Sequence, residues 1–77
     1  MSGEAKTRLI ELYRRMGELK AKRVELIVLL NHTRRIRDSV RADKARRDLT
    51  HIEIEIGELE GQIQAAEFQL LREYLKE

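Results

Sequence analysis

The stretch His51-Ile-Glu-Ile-Glu-Ile-Gly-Glu-Leu-Glu-Gly61 alternates apolar and acidic residues as a half-buried β-strand would. On a strand, Ile52, Ile54 and Ile56 share one face; on a helix Ile54 turns away from the other two. The surrounding sequence decides between them. Alternating steps of four and three from Ala45 reach Leu49, Ile52, Ile56, Leu59, Ile63, Ala66 and Leu70, every one apolar. A strand accounts for about six residues of this pattern, whereas a helix accounts for all of it. The stretch is therefore read as helix, with Ile54 off its main seam.

The first half of the chain keeps the same rhythm through Ala5, Leu9, Leu12, Met16 and Leu19, then Arg23, Leu26, Leu30, Thr33 and Arg37. Between the halves, the run Arg37-Asp-Ser-Val-Arg-Ala-Asp43 holds the residues that compete best with helical backbone bonding, and Asp43 is the expected N-cap of the second helix. The expected fold is all-α, an antiparallel two-helix coiled-coil hairpin of a single domain (1–77), with helices over about 4–37 and 44–76 and a turn over about 38–43. Constant index sums support the pairing: Leu12 with Leu70, Met16 with Ala66, Leu19 with Ile63, Leu26 with Ile56 and Leu30 with Ile52 all sum to 82, folding the chain at residue 41. At 1.5 Å per residue such helices make a rod about 50 Å long. A break at Asn31-His32-Thr33, giving three segments, is the alternative.

Composition agrees. Charged residues make up 39% of the 77 and apolar residues 42%, with no proline and aromatics at only 4%, as in long helices rather than disordered chains. The longest apolar run, Leu26–Leu30, is far short of the roughly 20 residues that cross a bilayer. With no signal-peptide pattern and no cysteine, the sequence fits a cytoplasmic protein. Residues 1–31 carry seven basic and four acidic groups, and residues 52–77 two basic and seven acidic, so a basic helix lies beside an acidic one.

A chain this short buries a modest fraction of its surface, and much apolar side-chain area lies off the seam. The first helix shows Ile10, Tyr13, Gly17, Val24 and Ile27; the second shows Ile54, Gly57, Gln64, Phe68, Leu71, Tyr74 and Leu75. In the hairpin register Ile10 meets Leu71, Tyr13 meets Phe68, Val24 meets Gly57 and Ile27 meets Ile54, which makes one broad apolar face. Such a face calls for a partner. A second copy, forming a four-helix bundle by homodimerisation, is the simplest; another protein's helix in the groove is the rival. Gly57 and Gly61 have the spacing that permits close helix approach, and the glutamates between them argue against a membrane setting.

The region of the turn is basic, with Arg34, Arg35, Arg37, Arg41, Lys44, Arg46 and Arg47 set against Asp38, Asp43 and Asp48. These are candidate contacts for an anion or a nucleic acid, although no aromatic residue stands among them to stack on a base. His32 and His51 come near each other in this register, but two histidines without a tight ligand motif do not make a metal site. Arg23 and Arg37 stand on the seam, where a polar residue more often fixes register or snorkels to water than grips a substrate. No catalytic, cofactor or metal pattern is found, and no small-molecule substrate is expected. The function expected is that of a non-enzymatic protein–protein interaction module: an adaptor, assembly factor, chaperone or regulator.

Overall fold

In a computed structural model that describes residues 2–76, the chain forms two helices, α1 (Ser2–Arg35) and α2 (Ser39–Lys76), packed against each other as a hairpin. Its extents are 59 × 14 × 13 Å. The rod is longer than expected because α2 alone has 38 residues, nearly its full length at 1.5 Å each. His51–Gly61 lies wholly within α2, so its alternation is a coincidence of composition.

The turn is tighter and earlier than the sequence suggests. Only Ile36, Arg37 and Asp38 separate the helices, and α2 begins at Ser39 rather than Lys44. Arg37 takes a left-handed backbone conformation (φ 59°), the role a glycine usually fills just past a helix end. The Arg37 N–H donates to the Arg34 carbonyl (3.2 Å) and the Asp38 N–H to the Thr33 carbonyl (2.9 Å), the paired bonds that close a Schellman motif. Asp38 then opens α2. Its carbonyl accepts from the Ala42 N–H (3.0 Å), and its side-chain Oδ1 accepts from the Arg41 N–H (3.1 Å), so Asp38, and not Asp43, is the N-cap. Arg37 accordingly lies in the turn, exposed, and not on the seam.

No break occurs at Asn31-His32-Thr33. Thr33 is almost fully buried, and its hydroxyl donates back to the Leu30 carbonyl (3.0 Å), so the polar group is satisfied without leaving the helix. The buried side chains follow the heptad seam on both helices. Leu9, Met16, Leu19, Ile56, Leu59, Ile63 and Ala66 form one cluster, and Leu30, Ala42 and Ala45 another toward the turn. Arg23, also on the seam, is half-buried.

The register differs from the expected one by a heptad. Leu30 packs with Ala42 and Ala45, not Ile52, which joins the other cluster. One groove is lined by Ala5 and Arg8 with Ala66 and Gln69, another by Leu12 and Leu19 with Glu55 and Leu59. Thus Met16 faces Leu59 rather than Ala66, and Leu19 faces Ile56 rather than Ile63. A heptad seam slid by seven residues still sets apolar against apolar, so periodicity cannot choose among these registers. The short turn chooses.

Candidate interaction surfaces

Outside the seam, the chain leaves an unusual amount of large apolar side chain in solvent. Ile10, Tyr13, Val24, Ile27, Ile54, Phe68, Leu71, Tyr74 and Leu75 are between 41 and 76% exposed. Val28, Leu29, Ile36 and Val40 are exposed as well, and the sequence reading did not single them out. Val28 and Leu29 read as part of the apolar run Leu26–Leu30, and Ile36 and Val40 stand singly among the charged residues around the turn.

The heptad shift rearranges this surface. Ile10 with Leu71, Tyr13 with Phe68, Val24 with Gly57 and Ile27 with Ile54 no longer face each other within one hairpin. On α1 the exposed apolar residues run Ile10, Tyr13, Val24 and Ile27, beside the main seam. On α2 they run Ile54, Phe68, Leu71 and Leu75, at steps that place them nearly opposite its main seam. A row of exposed glutamates at heptad spacing, Glu53, Glu60 and Glu67, separates the two. The Tyr13 hydroxyl donates to Glu67 of this row, and that bond, with partial desolvation and the carboxylate's charge, raises the phenol pKa above its ordinary value of 10.0. The surface is two stripes rather than one broad face. Gly17, Gly57 and Gly61 have nothing within 4 Å of an added Cβ, so no close approach within the hairpin requires them. Arg72 lies over the Phe68 ring at 6.0 Å and leaves most of it exposed.

The opposite flank is charged. Arg15 reaches across to Glu55 (3.4 Å), and Lys22 pairs with Glu25 (3.7 Å). Arg14 is held between Glu11 (3.0 Å) and Glu18, which keeps its guanidinium pKa above the usual value. These are exposed pairs, and they make the flank a solvated one.

At the tip, Arg34, Arg37 and Arg46 line a shallow cleft with Asp38, Ser39 and Asp43. Arg41 pairs with Asp38 (3.4 Å), Lys44 with Asp48 (3.3 Å) and Arg46 with Asp43 (2.9 Å). Among the described residues, Arg34, Arg35, Arg37 and Arg47 have no carboxylate within 4.0 Å. His32 and His51 are not brought together: the heptad shift sets them roughly two helical turns apart along the rod. Among the described residues, no group of three or more His, Cys, Asp or Glu side chains is gathered to hold a metal ion, and no helix is long and apolar enough to cross a membrane. No protein-family model, curated protein or solved structure matches the chain.

Proposed function

We propose that this protein is a non-enzymatic protein–protein interaction module of the cytoplasm that acts through the outward apolar stripes of its two helices. The observation that carries the reading is the α2 stripe. Ile54, Phe68, Leu71 and Leu75 lie on one line of alternating three- and four-residue steps, with Gly57, Gly61 and Gln64 at the positions between Ile54 and Phe68, and all four are more than half exposed, while the hairpin's own seam is already filled. A helix with a second seam is built for a second helix. The first partner is another copy of the chain, giving a homodimer of hairpins packed as a four-helix bundle, and the module serves as an adaptor, assembly factor, chaperone or regulator. Light scattering after size exclusion tests it. Ile54→Glu places a charge in the stripe without touching the buried seam, so it is expected to keep its helicity and fall to the mass of one chain; an unchanged multimeric mass rejects the stripe as the contact.

Nucleic-acid binding at the tip is the second reading, favoured by the four arginines there without a carboxylate partner. Phosphate contacts of this kind give binding that weakens steeply with salt. A fluorescent oligonucleotide titrated with the protein and with Arg34→Glu, Arg47→Glu tests it. Salt-sensitive binding lost in the variant supports the tip; binding that survives the change, or none by the native chain, rejects it.

A further inference from the structure

Building on the reading that the outward stripes dock helices, we propose that the α2 stripe receives the α1 stripe of a second copy, antiparallel, with Tyr13 against Phe68 and Ile27 against Ile54. Both stripes follow alternating steps of three and four, as antiparallel seams must to interleave. Within one hairpin these pairs stand about six residues, or roughly 9 Å, out of register. Between two copies nothing holds them apart.

Side-chain size fits this register. Val24 falls opposite Gly57 and the Lys20 stem opposite Gly61, and a Cβ at either glycine would open onto empty space within the hairpin, as it would at Gly17. On α1, Gly17 falls opposite Gln64. Large residues meet at the ends, where Ile10 faces Leu71 and Ile27 faces Ile54, and small residues stand where a bulky or charged one arrives. Glycines that cost helix stability and relieve no contact within the hairpin thereby acquire a reason.

Charge selects the same partner. Among the described residues, Lys20 and Arg23 of α1 have no carboxylate within 4.0 Å, and Glu53 and Glu60 of α2 have no basic partner. The proposed register sets Lys20, opposite Gly61, beside Glu60 of the second copy, and Arg23 nearest Glu58 of the same acidic helix. Pairing α2 with α2 sets its glutamates against themselves, and pairing α1 with α1 sets its cations together, so opposite charge favours α1 with α2 and penalises both alternatives.

The chain has no cysteine, so introduced thiols report cleanly. Ile27→Cys and Ile54→Cys, made as separate variants with a mass tag on one, are mixed and oxidised with diamide. Ile10→Cys mixed with Leu71→Cys gives a second pair in the same register, should either first variant fold poorly by circular dichroism. Gln64→Cys alone reports α2 against α2. The proposal expects the tagged heterodimer at least tenfold above the self-linked product of either variant alone, and little product from Gln64→Cys. A sample that self-associates by light scattering yet forms neither mixed link, or that links chiefly through Gln64→Cys, overturns the register while leaving self-association standing. A single-chain mass with no link anywhere overturns both.

Discussion

Arg37 and Asp38 adjoin in the turn and act on stability in opposite directions. Asp38 satisfies an orphan N–H at the start of α2 and ends the Schellman motif of α1. Its replacement, Asp38→Ala, is expected to lower stability by about 1 kcal/mol in urea denaturation. Arg37 holds a left-handed conformation that costs an L-residue roughly 1 kcal/mol, part of which glycine returns through its greater freedom in the unfolded chain. Arg37→Gly is therefore expected to raise stability by about 0.5 kcal/mol in the same titration. The position of this turn was hard to read for the same reason: an arginine stands where glycine normally announces a helix end, and Asp38, Ser39 and Asp43 offer competing caps. Tyr13 supplies a pH test. Its folded pKa lies above the unfolded 10.0, so the Glu67 bond contributes fully below pH 10 and is lost as pH rises through the folded value. Tyr13→Phe is expected to flatten the fall in melting temperature on that alkaline side, and an unchanged fall contradicts the bond.

Each helix was legible as a helix because some eight seam positions agree on one period, more than a local alternation such as His51–Gly61 can outweigh. Their mutual register was not legible. Apolar residues at every seventh step make a slide of one heptad nearly free of contrast, and the outcome rests on three turn residues far from most of the seam. The stripes were visible as residues but misjudged as a surface, since the same slide separates Tyr13 from Phe68 and exposes the Glu53–Glu60–Glu67 row between them. The glycines of α2 give a prediction that separates fold from docking. With nothing within 4 Å of an added methyl group, Gly57→Ala and Gly61→Ala are each expected to stabilise the isolated hairpin by about 1 kcal/mol, the cost of glycine in a helix interior. The same changes are expected to weaken self-association, read by dilution. Stabilisation without weaker association means that the glycines serve no interface.

The whole molecule is a rod 59 Å long and 14 Å across, too slender to enclose a core beyond a single line of side chains. Isolated hairpins of this kind gain little from burial, and association adds a second layer to the same helices. Two copies joined reciprocally, α1 to α2 and α2 to α1, close on themselves; joined one-sidedly they add in series. The tip and the stripes lie on separate parts of the rod, so a variant of one leaves the other intact. Molar mass by light scattering after size exclusion, with absorbance recorded at two wavelengths, tests the central claim most directly. The native chain is expected at twice its 9.1 kDa, free of nucleic-acid absorbance, with Ile54→Glu at the single-chain mass. A native chain that stays at 9.1 kDa up to the highest loading contradicts self-association through the stripes.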